Sequence, residues 1–168
     1  VLTNTSPIIT SNGGGNVAAI NVDEWNTNTG PPPPGSAVTT ITATDADVGQ
    51  SLLYTIVGGN DADHFDLNPT NGQLAFSAAP DRENPTDSNS DSIYEVIVQV
   101  TDGTGGSDAQ LLNITVNDVN EYTITTISDT DTAIDQVPEN SITGTLVGVT
   151  ALATDADSTA TISYSLQD

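Results

Sequence analysis

An all-β chain, one small antiparallel sandwich followed by part of a second, is what three features of this sequence predict. Short β-branched segments alternate with turn clusters along its length, no window keeps a helical period, and one block recurs at a fixed spacing. Thr42 to Asp47 (Thr-Ala-Thr-Asp-Ala-Asp) returns as Leu152 to Asp157, and Tyr54-Thr55-Ile56 returns as Tyr164-Ser165-Leu166, both at an offset of 110 residues. A single offset held across separate matches is the mark of a duplicated supersecondary unit.

The strands are expected at 38–44, 52–57, 94–100 and 111–116, where Val, Ile, Thr, Tyr and Leu alternate with polar residues. Between them stand the turn clusters Gly58 to Asp61, Asn68 to Gly72, Asn84 to Asp87 and Asp102 to Gly106. Seven or so strands at this spacing, with aromatics at only 4%, describe a sandwich with a modest aliphatic core. That core should hold Val38, Ile41, Leu52, Tyr54, Ile56, Phe65, Leu67, Leu74 and Phe76, then Tyr94, Val96, Val98, Val100, Leu112, Ile114 and Val116. The acidic stretch Asn117 to Glu121 reads as the junction between copies, which sets the expected domains at 1–120 and 121–168. The second copy reaches Asp168 about halfway through, so an incomplete repeat is expected there.

The charge is extreme: 23 Asp and Glu against a single basic residue, Arg82, for a net charge of −22. Nucleic acid is excluded as a partner, because phosphate binding needs clustered Lys and Arg. Anionic membrane surfaces are disfavoured for the same reason. Like charge keeps a protein dispersed, and carboxylates can also gather divalent cations. With no cysteine there is no disulfide framework and no thiolate. Neither a signal peptide nor an 18-residue apolar run is present in the segment, so membrane insertion is not expected.

Catalysis finds little support. Paired carboxylates can hydrolyse glycosides, but such sites sit in aromatic clefts, and this chain has one Trp, outside the strands. His64 is the sole histidine and no nucleophile motif accompanies it, so it reads as a strand-edge residue. Asp61, Asp63, Asp87, Asp91 and Asp108 fall in loops without a partner motif and are expected to be solvated.

Several motifs occur in a fixed order: Val22-Asp23-Glu24, Asp45-Ala46-Asp47, Phe65-x-Leu67, Gly72-x-Leu74, Asp81-Arg82-Glu83, Thr101-Asp102-Gly103 and Asp118-x-Asn120-Glu121. The second copy adds Pro138-Glu139-Asn140 and Asp155-Ala156-Asp157. In this order they resemble cadherin-like repeats, particularly those strung together in large secreted bacterial surface proteins and adhesins. The resemblance implies a seven-stranded Greek-key sandwich with Ca2+ bound between successive repeats. Carried over motif by motif, it assigns Glu24, Asp81 and Glu83 to the far end of the first repeat and Asp118, Asn120 and Glu121 to the linker. It assigns Asp155 and Asp157 to the near end of the second. Seven carboxylates and one amide would then serve roughly two or three calcium ions, each needing six to eight oxygens. The same resemblance turns Asp45, Asp47 and Asp102 toward the preceding junction, where a weak or empty site is expected.

Standing alone, Asp-x-Asp is also ordinary turn chemistry, and Asp81-Arg82-Glu83 a surface ion pair. The function implied is a calcium-stiffened adhesion repeat of a secreted or cell-surface protein, partnered by neighbouring repeats or homotypic chains. Two alternatives stay open. One is a head-to-tail filament subunit completed by strand complementation. The other is a protein- or glycan-binding module built on Trp25 and the prolines Pro31 to Pro34, in a segment that makes the Glu24–Asp45 interval 21 residues against 16 for Glu139–Asp155.

Overall fold

The computed structural model describes residues 3–26 and 36–166. The chain forms two compact units, Val1–Val119 and Asn120–Asp168. The Pro31 to Pro34 segment lies outside the described residues.

In the first unit the strands are β1 (Ile8–Ile9), β2 (Val17–Asp23), β3 (Ser36–Thr40), β4 (Ala43–Thr44), β5 (Leu53–Gly58), β6 (Phe65–Leu67), β7 (Gln73–Phe76), β8 (Ile93–Thr101) and β9 (Ser107–Asn117). One sheet runs β2-β9-β8-β5, a second β3-β7-β6, and β1 pairs with β4. The burial of β8 alternates strictly, with Tyr94, Val96, Val98 and Val100 inward. Leu112, Ile114 and Val116 do the same on β9. Leu74 and Phe76 of β7 and Phe65 of β6 complete the core from the other sheet. Tyr94 is the aromatic link: its ring stands edge-on to Phe76 at 5.1 Å and to Phe65 at 6.2 Å, while Phe65 and Phe76 lie 4.6 Å apart.

Three features depart from expectation. The segment 38–44 is not one strand. It breaks at Ile41-Thr42, so that β3 pairs with β7 and β4 crosses to β1. The break is stabilised by Ile41, which is fully buried and donates its N–H to the Gly72 carbonyl at 2.8 Å. Gly72 is required there, because at φ +70° a Cβ would lie 2.1 Å from the Ile41 oxygen.

The second departure is β2, which runs parallel to β9 from Val17↔Leu111 to Asp23↔Asn117, so the sandwich is not wholly antiparallel. This pairing buries Ala18 and packs Ile20 and Val22 on the core, residues missing from the expected list, as is the buried Ile9 of β1.

The third concerns the loop acids. Asp61 is 3% exposed and accepts the Ser88 and Glu95 amides at 2.6 and 2.8 Å. Asp87 is 5% exposed and accepts the Asp91 and Ser92 amides. These carboxylates are loop anchors and not solvated groups, since buried backbone amides need acceptors. Asp108 likewise accepts the Ile9 amide at 2.7 Å. His64 ends a 3-10 turn (Ala62–His64) and sets its ring 5.5 Å from Tyr94.

The second unit contains β10 (Ser128–Asp129) paired antiparallel with β11 (Ala151–Leu152). Ala153 is buried beside them, and the Tyr164 hydroxyl accepts its N–H at 2.9 Å.

Candidate metal centre

Parallel pairing of β2 with β9 decides where the acids meet. Both strands end together, so Glu24, the residue after β2, lies beside the chain as it leaves β9. Its own N–H reaches the Asn117 carbonyl at 3.1 Å. The Glu24 carboxylate is 5% exposed and takes the Val119 amide at 2.8 Å on one oxygen and the Arg82 amide on the other. Arg82 sends its guanidinium to the Val116 carbonyl at 2.8 Å. Held in this way, the Asp81-Arg82-Glu83 turn lies against the end of β2, and Asp81 caps the Asn84 amide at 2.9 Å. One carboxylate oxygen from each of Glu24, Asp81 and Glu83 falls within 4.8 Å of the others.

Calcium–oxygen bonds of about 2.3–2.6 Å put two oxygens on one ion no more than about 5 Å apart. The spacing and the all-oxygen donor set therefore fit calcium. They do not suit zinc, which takes Cys and His. Asp118, half-buried, follows directly on β9 at the same end of the unit.

The opposite end of the first unit, past the β8–β9 hairpin, is wired differently. The Asp47 N–H donates to Asp45 Oδ1 at 2.8 Å, closing the turn between them. The Asp47 carboxylate takes the Thr5 amide and hydroxyl at 2.7 and 2.6 Å. Asp102, buried, receives the Asn4 amide at 2.8 Å together with the Thr104 and Gly106 N–H groups. Asn4 also accepts from Gln50 and Thr104. The second oxygen of Asp45 is buried and accepts no hydrogen bond. Among the described residues, Asp45, Asp47 and Asp102 do not bring three ligand oxygens within 4.8 Å. Asn4, Thr5, Gln50 and Thr104 carry no acidic signature, which is why sequence reasoning passed over them.

The Asn4 side chain, and after it the Thr104 and Gly106 amides, hold the Asp102 carboxyl down at about 2 against a usual 3.8, and Thr5 lowers that of Asp47. A depressed folded-state value means stability that is complete above the unfolded value and is lost as pH falls toward 2. Asn4→Ala should lower the melting temperature more at pH 6 than at pH 2, where the carboxyl is protonated in the unfolded chain and about half protonated in the folded one. Melting curves between these values check it, and an equal loss at both would contradict the assignment.

In the second unit the repeated Asp-x-Asp keeps the same turn. Asp155 accepts the Asp157 N–H at 3.1 Å. Asp157, 5% exposed, accepts the Asn120 side chain and the Glu121 amide, both at 3.0 Å, and the Tyr122 amide at 3.2 Å. Each copy thus uses its second aspartate to fix the entering chain. Trp25, offered above as part of a binding module, is half-buried, and its backbone N–H donates to the Pro80 carbonyl at 3.3 Å.

The two packed sheets with an acidic cluster at one end define the class, a β-sandwich domain. Residues 32–117 match the Cadherin domain family model. Human Protocadherin Fat 4 is 40% identical over 126 residues, 74% of this chain and 2% of that protein. The Drosophila melanogaster Protocadherin-like wing polarity protein stan is 33% identical over 138 residues, 81% of this chain and 4% of that one. In structure the chain resembles Drosophila N-cadherin EC1-4, with TM-score 0.64 and 25% identity over 92% of this chain and 34% of that chain. The chain belongs to the cadherin family, and its all-β fold is the cadherin fold. It spans only a few per cent of the length of the curated relatives named here. Among the described residues no helix is long and apolar enough to cross a membrane.

Proposed function

We propose that this chain is a calcium-binding adhesion repeat that stiffens an extended, secreted or cell-surface protein. One observation carries the reading: three carboxylates, from the end of β2 and from the loop after β7, converge within 4.8 Å of one another at one end of the sandwich. Such groups repel, and a divalent cation turns the repulsion into attraction. Asp118 adds a donor where the chain leaves β9. Asn120, Glu121, Asp155 and Asp157 are the donors this reading assigns to the second unit, with neighbouring repeats as the partners and no catalytic role. The end bearing Asp45, Asp47 and Asp102 is assigned no strong site, because, among the described residues, these do not bring three ligand oxygens within 4.8 Å of one another.

Calcium outside cells is millimolar, so sites of about 10⁻⁴–10⁻³ M affinity fill there. Calorimetric titration of calcium into the chelator-treated protein tests the assignment. Saturable binding that Glu83→Ala weakens at least about ten-fold is expected, with magnesium a poor competitor because it demands a tighter octahedral shell. Binding left intact in Glu83→Ala would reject this site.

A further inference from the structure

We infer that Asn12, followed by Gly13, is a self-modification site whose side-chain amide is exchanged for a carboxylate by water, and that the fold closes the chain's other Asn-Gly pair, Asn71-Gly72, to the same reaction. This chemistry is independent of the calcium reading above.

Asparagine is thermolabile because the backbone nitrogen of the next residue can attack its side-chain carbonyl carbon. Glycine in that next position leaves the approach open. Attack needs a nitrogen whose N–H is not held by an acceptor, a carbonyl oxygen that can take up negative charge, and room for the peptide to turn. Asn12-Gly13 meets all three conditions. The pair forms the centre of a turn closed by the Gly14 N–H on the Ser11 carbonyl at 2.9 Å, with φ of 52° and 85°. The turn bond uses Gly14, so among the described residues nothing accepts the Gly13 N–H. The Thr39 hydroxyl donates to Asn12 Oδ1 at 3.0 Å, where charge gathers as the carbon becomes tetrahedral. Gly13 is exposed, and a Cβ built on it would meet nothing within 4 Å.

Asn71-Gly72 fails the first and third conditions. The Gly72 N–H donates to the Asn68 carbonyl at 3.0 Å, and the residue is buried against the Ile41 oxygen, 2.1 Å from where a Cβ would stand. Its peptide has neither a free nitrogen nor space to rotate.

In the reaction the Gly13 nitrogen gives up its proton and bonds to Asn12 Cγ, the Cγ–Nδ2 bond breaks, and ammonia leaves with that proton, closing a succinimide. Water then adds to one of the two ring carbonyls and reopens the ring, to aspartate or to isoaspartate at position 12. Nothing is oxidised or reduced. Conversion adds one negative charge to the −22 and removes the Nδ2 donor that reaches Gln110 Oε1 at 3.4 Å. Gln110, fully buried on β9, ties the same loop down through the Gly15 carbonyl at 2.6 Å. The change therefore falls where the chain enters β2, the strand whose other end presents Glu24.

Incubation of the 168-residue chain in warm, mildly alkaline buffer, folded and in urea, followed by peptide mapping with a mass readout, measures both sites at once. In the folded chain residue 12 should convert at least about ten-fold faster than residue 71, and in urea, where neither turn persists, the two rates should agree within about two-fold. Thr39→Val should slow conversion at residue 12 at least about three-fold, through loss of the donor to the carbonyl oxygen, and leave residue 71 unchanged. Equal rates at the two sites of the folded chain overturn the inference. So does a folded chain whose residue 12 stays intact while the urea sample converts, and a Thr39→Val rate equal to that of the parent removes the hydroxyl from the account.

Discussion

Chelating calcium should lower the melting temperature of this protein by about 10 °C or more, and Asp118→Ala combined with Glu83→Ala should remove most of that response. At free calcium 100-fold above its dissociation constant, one site adds about 2.7 kcal/mol to the folded state, because the unfolded chain lacks the gathered oxygens. For a unit that runs from Val1 to Val119 each kcal/mol moves the midpoint by about 4 °C. The sign reverses without the ion. Chelated wild type keeps Glu24, Asp81 and Glu83 crowded within 4.8 Å, so the double variant, freed of part of that repulsion, should melt at or above the chelated wild type while melting below the calcium-loaded one. Identical curves with and without chelator would defeat the calcium reading.

Replacing Tyr94 by alanine should cost about 3–5 kcal/mol, the largest effect of any single core truncation here. Tyr94 is 2% exposed, and its ring joins the two sheets through Phe65 and Phe76. Its hydroxyl accepts the Thr86 amide at 3.1 Å and so ties down the loop that precedes β8. Tyr94→Phe separates the two contributions: it keeps the ring and gives up one hydrogen bond, for about 1 kcal/mol. Denaturant unfolding of both variants measures the difference. A cost for Tyr94→Ala no larger than for Tyr94→Phe would show that the ring does not hold the sheets together.

Much of the fold is legible in the residues because its signals are local. The alternation in 94–100 and 111–116 places the same side chains inward that the folded β8 and β9 bury. The segment 38–44 shows the limit of such reading. Its β-branched run is continuous, yet the strand divides between two sheets because Ile41 is pinned to Gly72, a residue 31 positions away. Asp61 and Asp87 look like loop acids by composition, and their burial depends on amides that the 84–95 segment presents only once it is folded.

The candidate centre divides along the same line. Asp81-Arg82-Glu83, Asp118-x-Asn120-Glu121 and the twin Asp-Ala-Asp motifs are visible as ordered acids, since each is nearly contiguous and the Asp-Ala-Asp pair recurs at one offset. That Glu24 spends its carboxylate on the Arg82 and Val119 amides, and that Asn4 and Thr5 satisfy Asp102 and Asp47, is not visible in any tripeptide.

By itself, then, the sequence determined an all-β repeat, its periodic core and an acidity that asks for a cation, because period, propensity and net charge are properties of neighbouring residues. Tertiary structure alone decided which acids share a space. The parallel alignment of β2 with β9 carries Glu24 to the chain's exit, and such an alignment is settled by the packing of whole sheets, since strands of equal hydrophobic period can pair in either direction.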